Sequence, residues 1–121
     1  RPRRCGWFDA HAVRAMAKLG RMNALCITKM DVLAGLGELS TGVGYAGWDS
    51  AGLPASHRIY ETLSPRYEQH AGFEGELAPI REWDAMPEPV KAYINRLEEV
   101  CGVPVKYFST GPATDELVIR A

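Results

Sequence analysis

The 121-residue chain has only three cysteines, at positions 5, 26 and 101, far apart and with no CxxC pair. Such an odd, scattered set builds neither a disulfide framework nor a thiolate metal site. Reduced thiols in a cytoplasmic protein are expected, with Cys26 and Cys101 in the core. Histidine is equally scarce, and His11, His57 and His70 stand in no metal-ligand spacing, so no metal site made wholly within these residues is expected. No apolar stretch approaches the roughly 20 residues of a membrane span, and no signal-peptide pattern is present. Charge of one sign is also lacking: 14 Lys and Arg against 15 Asp and Glu leave a net charge of −1, which argues against a general attraction to nucleic acid or an anionic membrane. Nor is there a glycine-rich phosphate-cradling loop. What remains is a globular composition, 46% apolar and 24% charged, of a length that suits one core.

The chain opens on Arg1-Pro2-Arg3-Arg4 with no initiator Met. This abrupt start reads as a piece of something longer, and residues 1–121 are expected to form a single segment of a larger protein. Guanidinium forks bind phosphate and carboxylate bidentately, and Pro2 limits how Arg1 and Arg3 splay; a solvated basic run at a chain end is the plainer account of the same residues.

The pattern along the chain alternates helix and strand. Asp9 reads as an N-cap for a helix to about Leu19, stopped by Gly20, with Val13, Met16 and Ala17 as its apolar stripe. Leu25 to Thr28 reads as a short apolar strand buried on both faces. Asp31 to Leu36 is expected to be one or two helical turns capped by Asp31, and Leu39 to Ala46 a strand. Gly47 to His57 reads as a loop, Ile59 to Thr62 as a short strand, and Ser64 to Arg81 as irregular. Pro87 or Glu88 opens the clearest helix, with Val90, Tyr93, Ile94, Leu97, Val100 and Cys101 on one face and Gly102 at its end. Val103 to Phe108 and Glu116 to Arg120 read as strands, antiparallel to one another. Helix–strand alternation implies an α/β sheet with ligands beyond the carboxyl ends of its strands.

Two tetrapeptides fall at such ends. Thr28-Lys29-Met30-Asp31 follows the run Ala24-Leu25-Cys26-Ile27, and a carboxylate there can accept from the N1 and N2 hydrogens of guanine while the lysine stem lies along the ring. Adenine offers no such donor pair, so the acid discriminates through hydrogen bonds left unmade. Ser109-Thr110-Gly111-Pro112 follows the penultimate strand, where backbone N–H groups can meet the guanine O6 and Gly111 permits close approach. The plainer readings are a strand end with an Asp helix cap and an ordinary strand-to-strand turn.

Read together, Arg1-Pro2-Arg3-Arg4-Cys5-Gly6-Trp7-Phe8-Asp9, Leu25 through Leu33 and Ser109-Thr110-Gly111-Pro112 closely resemble adenylosuccinate synthetase. The stretches Ile59 to Leu63, Pro87 to Glu99 and Gly102 to Val105 match that family as well, so the likeness runs the length of the chain. It covers only the C-terminal part of such an enzyme, about its last quarter. The resemblance implies a C-terminal portion of a P-loop-NTPase-like GTP-binding enzyme fold, α/β, with part of a mostly parallel sheet and flanking helices. It further implies a ligase that joins IMP to L-aspartate in AMP biosynthesis: GTP phosphorylates the 6-oxygen of IMP, and the aspartate amine displaces that phosphate. Arg1, Pro2 and Arg3 match the IMP- and aspartate-binding loop, with Arg3 also reaching towards GTP. Lys29, Met30 and Asp31 match the guanine-recognition segment, and Ser109, Thr110 and Gly111 its second wall. The catalytic groups, the phosphate loop and the Mg2+ ligands belong to an N-terminal portion that has no counterpart here, so the isolated segment is expected to be inactive. The rest of the synthetase chain is its expected partner, within a cytoplasmic homodimer. Two other classes fit the same residues: a free-standing guanine-nucleotide binding module, and an interaction domain whose motifs are unused.

Overall fold

A computed structural model describes residues 1–120. Asp9 ends a two-residue strand, β1 (Phe8–Asp9), and its carboxylate accepts the Ala12 N–H at 2.9 Å to open α1 (Ala10–Leu19). The capping role and the stop at Gly20, the C-cap residue, are as expected, but the left-handed turn falls one residue later. Gly20 stays right-handed at φ −81°, and Arg21 takes the left-handed place at φ 49°. Arg21 N–H then donates to Lys18 O and Met22 N–H to Ala17 O, the paired bonds of a Schellman ending. The apolar stripe is shifted too: Ala10, Ala15 and Ala17 are buried, while Met16 is half exposed.

Two three-stranded sheets follow. In one, β3 (Glu38–Ala46) lies between β1, parallel to it, and β4 (Ser64–Ala71), antiparallel. In the other, β5 (Val105–Ser109) lies between β2 (Leu25–Ile27), parallel, and β6 (Leu117–Ile119), antiparallel. Both sheets are therefore mixed, and the expectation of a mostly parallel sheet is met by only one pairing in each. Two further expectations are corrected. Residues 57–62 form a short helix, α2 (His57–Thr62), where the β-forming Ile59-Tyr60 pair suggested a strand; β4 occupies part of the stretch expected to be irregular.

The long helix α3 (Glu88–Cys101) closes at Gly102, left-handed at φ 70°, as its sequence indicates. Val90, Ile94 and Leu97 are wholly buried on its inner face, each worth about 1.5–3 kcal/mol of burial. They pack with Leu39, Phe73, Leu77, Val105, Phe108 and Val118 in one core. Cys101 is buried as expected, but Cys26 is exposed. The core lies on one face of the β2–β5–β6 sheet; on the other, Cys26, Tyr107 and Ile119 stand in register across the three strands, all exposed.

Polar clasps fix α3 to both sheets. Arg96 grips Glu68 of β4 with two bonds, at 2.6 and 2.9 Å. Glu98 accepts from the Val105 N–H at 2.7 Å and from Arg120 at 3.1 Å, while the Arg120 guanidinium stacks 4.0 Å over the Trp83 ring. On β4, His70 bonds the buried Thr41 hydroxyl at 3.0 Å and meets Tyr93 edge to face at 5.3 Å. Burial holds the His70 pKa below its usual value, and Arg96 lowers it further against the opposing pull of Glu68. The unfolded histidine therefore takes up a proton first as pH falls. Its contribution is complete above about pH 6.5 and erodes below it. The pKa of Glu68 is lowered chiefly by Arg96, so its loss belongs to a more acidic window. Melting midpoints at about pH 7.5 and about pH 5.5 should differ less in His70→Gln than in the parent chain; an unchanged difference would refute this account.

Candidate functional site

Parallel pairing of β2 with β5 brings both strand-end tetrapeptides to one edge, since Ile27 is in register with Phe108. Beyond that pair, the Lys29 N–H donates to Ser109 Oγ at 2.9 Å and ties the segments together. Lys29 takes a left-handed conformation, φ 61°, and turns the chain into a 3-10 turn, Met30–Leu33. The Met30 side chain is wholly buried in the main core, where it anchors this turn; any ligand contact by Met30 is left to its backbone. Asp31 lies inside the turn, not before it, so it is no cap, and the residue at the cap position, Lys29, makes no side-chain capping bond. Asp31 is half-buried, and among the described residues no hydrogen bond or ion pair uses its carboxylate. The helix-cap reading of Asp31 is therefore excluded.

The second segment is braced by a residue that the sequence reading passed over. Thr110 N–H donates to Glu116 O at 2.9 Å, and Glu116 Oε2 accepts the Ala113 N–H at 2.7 Å. Glu116 thus closes the loop between β5 and β6, at the three-residue reach of a capping box. Two consequences bear on the site. The Thr110 N–H, expected to face a ligand, is committed internally, which leaves the Gly111 N–H as the donor of this turn without a partner among the described residues. The Thr110 hydroxyl is fully buried and has no hydrogen-bond partner among the described residues. The close approach allowed at Gly111 is made by the Glu116 carboxylate, because a Cβ there would lie 2.2 Å from Glu116 Oε2. Gly111→Ala should push that carboxylate off the Ala113 N–H and cost about 1 kcal/mol. In a Glu116→Ala background the same change should cost little; equal losses of melting midpoint in the two backgrounds would refute the bracing role.

Arg1, Pro2 and Arg3 are exposed and lead into β1, which belongs to the other sheet. Among the described residues, no hydrogen bond or ion pair joins them to residues 29–31 or 109–111. Asp9 does more than cap α1. Its second oxygen accepts from Tyr45 at 2.5 Å and from Tyr60 at 3.3 Å, tying the end of the arginine segment to β3 and α2. Burial, then the Asp9 bond, raises the Tyr45 pKa, so the phenol stays protonated as donor. Sequence spacing alone carried no signal for this three-way clasp. Among the described residues no three His, Cys, Asp or Glu side chains come together as metal ligands. No helix among the described residues is long and apolar enough to cross a membrane.

Comparison with known proteins bears on the whole chain. The sequence profile described as Adenylosuccinate synthetase matches residues 1–118. The chain is 45% identical over 121 residues to the adenylosuccinate synthetase of Psychrobacter sp. (strain PRwf-1), with 98% of the chain and 28% of that protein covered. It is 44% identical to adenylosuccinate synthetase 1, chloroplastic, of Ricinus communis, again over 98% of the chain and 28% of the relative. Among solved structures, a fully ligated adenylosuccinate synthetase from Plasmodium falciparum superposes with a TM-score of 0.91 at 28% identity, covering 100% of this chain and 30% of that one. The chain thus spans less than a third of the length of these relatives. Within that span, the chain belongs to the adenylosuccinate synthetase family.

Proposed function

We propose that this chain is the C-terminal segment of a GTP-dependent ligase that joins IMP to L-aspartate, and that it supplies the guanine-recognition wall. The observation that carries this reading is the Asp31 carboxylate, half-buried and without a partner among the described residues, two residues beyond the Lys29–Ser109 bond. Gly111 lies two residues beyond the other end of that bond. A guanine between them would donate N1–H and N2–H to Asp31 and accept at O6 from the Gly111 N–H, with the Lys29 stem along its face. Ser109 holds the two walls at fixed separation, while Met30 and Thr110 anchor them from the core side. Recognition is then largely preformed, which lowers the ordering cost of binding.

Arg1 and Arg3 are assigned to IMP and aspartate, with Pro2 between them and Arg3 also reaching the GTP ribose. The Asp9 clasp behind them would limit where that segment can swing. Mg2+ and the phosphates are assigned to residues outside this chain. In the complete enzyme, the two mixed sheets would join a larger, mostly parallel sheet of P-loop-NTPase-like type. The exposed row Cys26, Tyr107 and Ile119 would be covered by the rest of the synthetase chain, in a cytoplasmic homodimer.

The test is a graft of this segment in place of the matching stretch of the Psychrobacter synthetase. GTP-dependent formation of adenylosuccinate by the graft, and none by the 121-residue chain alone, is the expected result. A folded but silent graft, or turnover by the chain alone, would overturn the proposal.

A further inference from the structure

A hollow of about 420 Å3 lies between the C-terminal ends of α1 and α3, and its charged lining residues, Arg14, Lys18 and Arg21, are all cationic. All three are exposed, and among the described residues none makes an ion pair or a side-chain hydrogen bond. Four other cations, Arg81, Lys91, Arg96 and Arg120, each pair with a carboxylate, while the rest, like these three, make no ion pair among the described residues. Arg14 and Lys18 are four residues apart and share one helix face. Arg21 reaches the hollow only because it occupies the left-handed position of the Schellman ending, φ 49°, where a non-glycine residue is strained. Glycine would fit that backbone better, so the strain is tolerated at a residue whose side chain lines a cavity.

Cations near helix ends have a plainer use, which is to balance the exposed carbonyls. Two helix C-termini carry together about one negative elementary charge. Three cations exceed that by about two, which matches the charge of a phosphate monoester near neutral pH. The floor is apolar, formed by Met22 and Val103 with the buried Cys101, and so offers packing for a carbon skeleton beside the charged group. The Arg14 charge opposes the upward shift that burial causes in the pKa of the Cys101 thiol.

We propose that this hollow binds the phosphate group of a small phosphorylated molecule, with Arg14, Lys18 and Arg21 as its ligands. It shares no residue with the segments 29–31 and 109–111 and stands independently of the role assigned to them. The test is a residue-resolved amide NMR titration of the 121-residue chain with inorganic pyrophosphate at physiological ionic strength. Saturable shifts concentrated at Arg14, Lys18, Arg21 and Gly102 are expected. Arg14→Ala should weaken pyrophosphate about tenfold, the loss of one charge-assisted hydrogen bond. Arg21→Gly should weaken it comparably while raising the melting midpoint, a combination that a purely structural arginine would not produce. Arg58→Ala, removing an exposed cation on α2, should leave the affinity unchanged. Shifts spread evenly over Arg1, Arg3, Arg4 and Arg58, shifts that fail to saturate, or full affinity in Arg21→Gly would overturn the proposal.

Discussion

Asp31→Asn is expected to weaken guanine-nucleotide binding by about 2–4 kcal/mol in a synthetase that carries this segment, roughly 30- to 1000-fold in affinity. The substitution keeps shape and size but turns one acceptor into a donor that faces the N1 and N2 hydrogens of the base. Selectivity should move with affinity: a nucleotide lacking the 2-amino group should lose less than GTP, so the ratio of kcat/KM for GTP to that for ITP should fall. Stability should not change. The carboxylate holds no backbone group in the Met30–Leu33 turn, whereas loss of a true cap would cost about 0.5–2 kcal/mol. Steady-state kinetics with both nucleotides, alongside melting curves, separate these outcomes. An unchanged GTP/ITP ratio, or a lowered melting midpoint with unchanged nucleotide use, would remove Asp31 from the site.

The largest effect on stability is expected from Phe108→Ala. Phe108 is fully buried, sits in the one core, and meets Trp83 edge to face at 5.9 Å. Deleting its ring should cost about 3–5 kcal/mol through lost burial and the cavity left behind, a large share of the 5–15 kcal/mol that holds a typical domain together. Phe108 also precedes Ser109, whose hydroxyl accepts the Lys29 N–H. The damage should therefore reach the site, and exchange of the Lys29 amide hydrogen should accelerate. Phe108→Leu keeps most of the volume and should cost less than about 1.5 kcal/mol. Chemical denaturation of the two variants gives the comparison; a loss below about 1 kcal/mol for Phe108→Ala would mean that the core is not organised around this ring.

Where sequence and structure agree, local signals and tertiary demands point the same way. α3 has a proline start, a glycine stop and an unbroken apolar face; α1 has Asp9; the β5–β6 pairing follows from two apolar runs separated by a turn. Disagreements arise where a tertiary partner overrides local preference. Ile59-Tyr60-Glu61-Thr62 has the composition of a strand, yet it is helical, with Tyr60 N–H bonded to Ser56 O and the Tyr60 hydroxyl reaching Asp9 across 51 residues. β4 is a strand because β3 pairs with it over most of its length; its own residues are largely exposed, and Pro65 sits near its start, as edge strands permit. Cys26 looked buried because Leu25-Cys26-Ile27 is wholly apolar, but the core covers only one face of that sheet.

The candidate site can be outlined from residue type, but the part each residue plays in the fold cannot. Lys29, Asp31 and Gly111 were singled out by their places at strand ends, and the parallel register of β2 with β5 brings those ends together. Met30 and Thr110 belong to the same strings but turn inward, a difference that only packing decides. Glu116 and the Tyr45–Asp9–Tyr60 clasp depend on contacts between side chains distant from the motifs, which spacing in sequence does not encode.

The central claim is that the ends of β2 and β5 embrace one guanine base. Residue-resolved amide spectra of this chain, titrated in parallel with GMP and AMP, test it most directly, because the phosphate is common to both and only the base differs. Guanine-specific shifts confined to Lys29–Asp31 and Ser109–Gly111 are predicted. Equal responses to the two nucleotides in those segments, or a guanine-specific response elsewhere in the chain, would contradict it.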